Sequence, residues 1–143
     1  MGWTFGELNE ERARELAAQA ANVDPWTTLG IGADVLEKTM SDGLGAFEGE
    51  RAVGCAVLTF DGVLQPYLKL LYAVAPGQGI GSALMAECER RAFERSRNLF
   101  LLVSDFNHPA IEFYERHGYK KIGLLEDFIV PGKHEIIMRK RCD

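Results

Sequence analysis

Val74-Ala75-Pro76-Gly77-Gln78-Gly79-Ile80-Gly81-Ser82-Ala83-Leu84 joins an apolar run, Leu68 to Val74, to a helix-like segment through a glycine-rich turn. The glycines at 77, 79 and 81 leave the backbone uncovered where a helix starts. A helix start offers unpaired N–H groups and the positive end of a dipole. Together these make a binding site for phosphate or another anion. The competing reading is a glycine turn between strand and helix that binds nothing. Two familiar phosphate patterns fit poorly. A P-loop requires Gly-Lys-Ser/Thr, which does not occur. A dinucleotide fingerprint requires G-x-G-x-x-G, but counting from Gly77 or Gly79 puts Ser82 or Leu84 at its third glycine.

A third pattern is the pyrophosphate loop of acyl-CoA-dependent N-acyltransferases, [QR]-x-x-G-x-[GA], set between a strand and a long helix. Gly79 and Gly81 fill its two small positions, and Ser82-Ala83-Leu84 continues it. A second motif begins 26 residues after Gly81: Asn107-His108-Pro109-Ala110-Ile111-Glu112-Phe113-Tyr114-Glu115-Arg116-His117-Gly118-Tyr119, or N-x-x-A-x-x-F-Y-x-x-x-G-[FY]. With both motifs in this order and at this separation, the chain resembles the GNAT acetyltransferase superfamily. The resemblance covers residues 44–140, and residues 70–125 carry its specific part. One departure stands out. Relatives place a few more residues between the proline and the first glycine, including the Gln or Arg of the motif. Here Pro76 is followed directly by Gly77, and Gln78 falls at a variable position. The loop is shortened and lacks one side-chain contact, which leaves the backbone donors from Gly77 to Ser82 to hold a pyrophosphate.

Length and composition set the outer bounds. The 143 residues suit one domain, residues 1–143, and 47% apolar residues suffice for a packed core. No apolar run reaches membrane-spanning length and no signal peptide opens the chain, so the expectation is a cytoplasmic protein. Cys55, Cys88 and Cys142 form no C-x-x-C and read as reduced, two buried and one in the tail. The histidines at 108, 117 and 134 lack metal-ligand spacing, so no metal is expected. A net charge of −5 disfavours nucleic acid and mildly favours a cationic amine.

Along the chain, Trp3-Thr4-Phe5 suggests a short strand. Residues 9–22 suggest a helix capped by Asn9, with Ala13, Leu16, Ala17 and Ala20 on one face. Asp24-Pro25-Trp26 breaks it, and a second short helix runs from Asp34 to Met40. Residues 44–48 and 51–60 form a hairpin around Gly49-Glu50. Strand 66–74, helix 79–96 and strand 99–103 make a βαβ unit with a right-handed crossover. Residues 108–117 form a helix stopped by Gly118, and 119–129 with 134–140 close the chain as a hairpin around Pro131-Gly132-Lys133. The resemblance implies an α/β (α+β) fold: a mixed, mostly antiparallel central sheet of roughly six to seven strands, with about four helices. The two central parallel strands would splay in a V.

The reaction the resemblance implies is acetyl transfer from acetyl-CoA to a primary amine, on a small molecule, peptide or protein, by direct attack in a ternary complex. Positioning both reactants lowers such a barrier by roughly 7–11 kcal/mol in favourable cases. The family's roles then fall on particular residues. Backbone groups of Tyr72, Ala73 and Val74 would pair with the pantetheine arm, with an N–H near Val74 facing the thioester oxygen. Gly77, Gly79, Ile80, Gly81 and Ser82 would hold the pyrophosphate. Asn107 would bond the pantetheine, and Tyr114 would donate a proton to the sulfur. The bland rivals are a core Tyr114, an Asn107 that only caps its helix, and a Ser82 that merely sits in a first turn. Cys88, on a buried helix face, is rejected as a nucleophile.

For the general base, Glu48, Asp61, Asp105 and Glu126 sit at strand ends, but each also reads as a solvated surface carboxylate. His108 reads as an exposed loop residue. Trp26 is a candidate wall of the amine pocket and Asp24 a candidate partner for an ammonium. The alternative from another class is a catalytically weak or inactive CoA-binding regulatory module, which the shortened loop favours and the intact Asn107 and Tyr114 oppose. The resemblance leaves a homodimer open.

Overall fold

The computed structural model of the protein describes residues 2–143. The chain runs β1 (Thr4–Glu7), α1 (Glu10–Ala20), α2 (Trp26–Leu29), α3 (Ala33–Met40), β2 (Leu44–Glu48), β3 (Arg51–Thr59) and β4 (Tyr67–Ala73). It continues through α4 (Ile80–Phe93), β5 (Asn98–Ser104), α5 (His108–Arg116), β6 (Lys120–Leu125) and β7 (Glu135–Arg141). All seven strands form one sheet in the order β1-β2-β3-β4-β5-β7-β6. Every neighbouring pair is antiparallel except β4 with β5, which is parallel. The expected mixed α/β sheet is therefore present.

Helices cover both faces. On one side, α1 begins where the Asn9 side chain accepts from the Arg12 N–H at 2.8 Å, which satisfies an otherwise free donor. Its Leu16 packs with Leu36 and Met40 of α3 and with Leu70 and Tyr72 of β4. On the other side, Ile80, Leu84, Met85 and Cys88 of α4 pack with Leu99 and Leu101 of β5 and with Tyr114 of α5. Gly54 lets α4 approach: a Cβ there would lie 2.8 Å from Ile80 Cγ2 and 2.9 Å from the Tyr72 carbonyl oxygen.

Two irregularities in β4 shape the centre of the sheet. Val57 pairs with Leu70 but Leu58 with Leu68, so Lys69 is an extra residue, a β-bulge. The bulge puts Leu68 and Leu70 into cores on opposite faces, where unbroken alternation would put them on one. Beyond it, β4 and β5 part. Their pairing stops after Tyr67 with Phe100 and Leu68 with Leu101, so the strands splay from Lys69 and Leu102 onward.

Three boundaries differ from expectation. There are five helices among the described residues, because Asp24-Pro25-Trp26 does not simply end the first. Asp24 accepts from the Thr28 N–H at 3.0 Å and the Thr28 hydroxyl at 2.6 Å, and so holds the single turn of α2. The last hairpin is shorter, since β6 ends at Leu125. The Gly132 N–H donates to the Asp127 carboxylate at 2.6 Å and the Asp127 N–H to His134 Nδ1 at 3.0 Å, which folds the residues between into a loop. Helix α4 ends at Phe93, where the Arg95 and Ser96 N–H groups both turn back to the Ala92 carbonyl. No helix among the described residues is long and apolar enough to cross a membrane.

Candidate active site

The splay opens two clefts that meet. One, of about 560 Å³, runs from the glycine loop along α5. The other, of about 300 Å³, lies between the end of the sheet and α2–α3. Leu71, Asn107, Ala110 and Tyr114 line both, so these residues form the passage between them.

The first cleft begins at the N-terminus of α4. Gly77 and Gly79 have φ of +80° and +85°, a left-handed conformation that side chains disfavour. Gly79 is the N-cap and offers no capping side chain. The first bond that closes the helix runs from the Ala83 N–H to the Gly79 carbonyl at 3.0 Å. The N–H groups of Ile80, Gly81 and Ser82 therefore precede the intrahelical ladder and face an anion-sized opening. The Ser82 hydroxyl lies 3.1 Å from His117 Nε2, while His117 Nδ1 lies 2.8 Å from the Phe113 carbonyl. A carbonyl only accepts, so Nδ1 carries the proton and Nε2 accepts from Ser82 in the neutral imidazole. This contact ties the glycine loop's helix to α5, and no spacing in the sequence pointed to it.

The edge of β4 supplies the next part. The Val74 N–H donates to the Val53 carbonyl at 2.9 Å, so it is not the donor that turns toward the splay. Antiparallel pairs alternate between bonded and non-bonded positions. With Val74 paired inward, and Tyr72 opposite Cys55 in register, the backbone of Tyr72 also faces β3. Leu71 and Ala73 instead present their backbone groups to the splay. The Tyr72 ring is buried on the opposite face, edge-on to Trp26 at 5.8 Å.

Helix α5 supplies the side chains. The Asn107 carboxamide oxygen accepts from the Ala110 N–H at 3.4 Å and caps the helix; its amide hydrogens remain for another partner. Tyr114 is 9% exposed, and its ring packs edge-on against Phe113 and Tyr119. Its hydroxyl makes no hydrogen bond to any described residue, and Tyr114 lines both clefts. Burial pushes its pKa up, so the phenol keeps its proton at neutral pH. Cys88 is buried with its thiol pushed up to about 12 by burial, an inert packing group.

The second cleft holds what the sequence reading missed. Glu135, the first residue of β7, is 5% exposed and lines it. The Ser104 hydroxyl donates to its carboxylate at 2.6 Å. Burial raises its pKa, with a further push from Asp105 and an opposing pull from the Ser104 bond. Tyr67 lines the same cleft, its phenol raised by burial and then by Glu135. The anticipated bases lie elsewhere. Glu48 pairs with Arg51 at 2.9 Å at the surface; Asp61 and Glu126 are exposed; Asp105 accepts from the His134 N–H at 3.3 Å. His108 is exposed. Trp26 does line the cleft, whereas the Asp24 carboxylate is occupied by its two bonds to Thr28. Glu135 lies in the closing hairpin, where no motif singles it out; its partner Ser104 is 31 residues away.

The model of the acetyltransferase (GNAT) family matches residues 13–119, and the chain belongs to that family, whose co-substrate is acetyl-CoA. Solved structures agree in fold. A protein of Desulfovibrio desulfuricans assigned to the GNAT family is 24% identical, with a TM-score of 0.75 over 98% of this chain and 99% of that one. Ard1 of Thermoplasma volcanium is 16% identical, with a TM-score of 0.80 over 100% and 99%. A streptothricin acetyltransferase assignment from Bacillus anthracis, solved with acetyl-CoA, is 20% identical with a TM-score of 0.64; the match covers 70% of this chain and 61% of that one. No curated protein matches the sequence.

Proposed function

We propose that the protein transfers the acetyl group of acetyl-CoA to a primary amine by direct attack in a ternary complex. The observation that carries this reading is the meeting of the two clefts at Tyr114, whose phenol is protonated and has no described hydrogen-bond partner. Acetyl-CoA would enter through the larger cleft. The N–H groups of Gly77, Gly79, Ile80, Gly81 and Ser82 would hold its pyrophosphate, and backbone groups of Leu71 and Ala73, with the Asn107 amide, would bond its pantetheine arm. The amine would enter from the opposite side of the splay. Its nitrogen attacks the thioester carbonyl carbon, the C–N bond forms, and the C–S bond then breaks. Tyr114 gives its proton to the departing sulfur and regains one from the new amide nitrogen. As a relay it never has to persist as a phenolate, so a raised pKa does not block it.

Calorimetric titration with acetyl-CoA, free CoA and ATP, followed by release of free thiol with a panel of amines, tests the reading. Saturable binding of acetyl-CoA in preference to ATP, with amine-dependent thiol release, is the expected result. Binding without turnover for any amine would favour the regulatory module that the shortened Pro76-Gly77 loop suggests. No binding up to millimolar acetyl-CoA would sink both.

A further inference from the structure

We infer that Glu135 is the acceptor-side catalytic base, and that the cleft it closes takes a primary amine carried on an apolar body; this rests on the acetyl-transfer reading above. The cleft of about 300 Å³ has an asymmetric lining. Its walls are apolar, among them Trp26, Leu29, Leu36 and Leu70. Its mouth carries Val35, Phe128 and Ile129, which are 56%, 56% and 44% exposed. Large apolar side chains left in water around one opening mark a binding surface rather than a packed core. Its lining holds a single carboxylate, Glu135, and none of the glycine loop. A body that fills such walls and a cation that meets such a carboxylate describe one ligand.

The surroundings of Glu135 suit a base. Ser104, on β5, fixes one carboxylate oxygen with its 2.6 Å bond, which leaves the other oxygen for a ligand. The groups facing it are Tyr67 from β4, Ser104 from β5 and Asp105 just beyond β5, while its β6 partner Leu125 brings no charge. Lys69 lines the same cleft as its one cationic residue. No arginine or lysine pairs with Glu135 in a salt bridge among the described residues, so the arriving ammonium supplies the missing countercharge. Burial raises the affinity of the carboxylate for a proton, the change that fits a carboxylate to take one near neutral pH. The step balances as follows. The ammonium gives one proton to Glu135 and becomes a neutral amine. The amine forms the C–N bond and the C–S bond breaks. The sulfur receives the Tyr114 proton, and the second nitrogen proton restores Tyr114. Glu135 returns its proton to water.

Glu135→Gln is the informative variant, because its amide oxygen still accepts from Ser104. The probe is 2-phenylethylamine, with 2-phenylethanol and 3-phenylpropionate as neutral and anionic controls, titrated by NMR into protein saturated with CoA. Binding of the amine over both controls, weakened at least tenfold by Glu135→Gln with CoA affinity unchanged, is expected. With acetyl-CoA, the variant should lose about 10²–10⁴ in kcat/KM, along with the acidic limb of its pH profile. Equal amine binding by the two proteins, no binding by either, or an unaltered acidic limb overturns the proposal. A wild-type protein that binds the amine through Glu135 yet turns over nothing overturns the acetyl-transfer reading instead.

Discussion

Tyr114 combines a buried ring with an unsatisfied hydroxyl, and the two parts answer to different demands. The ring completes the core under α5, while the hydroxyl has no described partner to lose. Removing it therefore strands no buried group, the costly outcome of most such deletions. Tyr114→Phe should keep its melting temperature and its acetyl-CoA affinity while turnover falls by about 10²–10³-fold, within the range for loss of an acid; steady-state kinetics beside calorimetry separates the two effects. Gly54 is the opposite case, a residue whose value is only its absence of side chain. A Cβ there would meet Ile80, Leu84 and the Tyr72 carbonyl at 2.8–3.0 Å. The carbonyl cannot swing aside as a methyl can, so Gly54→Ala should cost about 1–3 kcal/mol in a urea melt. Tyr114 was legible in the sequence because its motif has fixed spacing. The closeness at Gly54 was not, because the atoms it spares belong to other elements.

Among the elements, α4 carries the division between stability and binding most plainly. Its buried stripe of Ile80, Leu84, Cys88 and Ala92 was readable from the fourfold spacing and lies in the core as expected. Its N-terminus does something that packing does not require. Gly79 adopts φ +85° with only the Trp3 ring near, at 3.5 Å. A residue with a Cβ finds space there but not a comfortable backbone, a cost of about 1–2 kcal/mol. Gly79→Ala should lower stability by that amount in denaturant melts and weaken acetyl-CoA several-fold by calorimetry, since the loop relaxes away from the N–H groups it arranges. Two of the misjudged boundaries share one cause. The turn of α2 and the early end of β6 are set by side chains bonding to nearby backbone, Asp24 to Thr28 and Asp127 to Gly132. Such local bonds override a strand or breaker pattern without altering it.

For the molecule as a whole, the splay is the organising fact. The sheet is held at its centre only where Tyr67 and Leu68 of β4 meet Phe100 and Leu101 of β5, while α4 packs on both strands. A cofactor lying between the strands would supply the missing edge. Amide hydrogen exchange should then slow at Leu71 and Ala73 on addition of acetyl-CoA, with little change at Val74, whose N–H is already bonded to Val53. Keeping a carboxylate buried in the same opening has a cost that pH reveals. The folded chain raises the pKa of Glu135, so folding favours the protonated form. That stability is fully present below the unfolded value of about 4.3 and is lost as pH rises through the raised folded value. Glu135→Gln cannot ionise, so its melting temperature should exceed that of the wild type near neutral pH and converge with it in acid.

The sequence by itself determined the family, the βαβ unit, the glycine loop at the start of α4 and the two side chains of the Asn107–Tyr114 motif. These depend on contacts within short stretches, where spacing alone places a group on a helix face or at a helix start. The tertiary structure decided which backbone groups face the opening and which carboxylate closes it. Strand alternation set against β3 turned Leu71 and Ala73 outward, and a sheet that brings β7 beside β5 buried Glu135 against Ser104. Both outcomes arise from pairings between distant segments, and no local pattern in either partner encodes the register in which they meet.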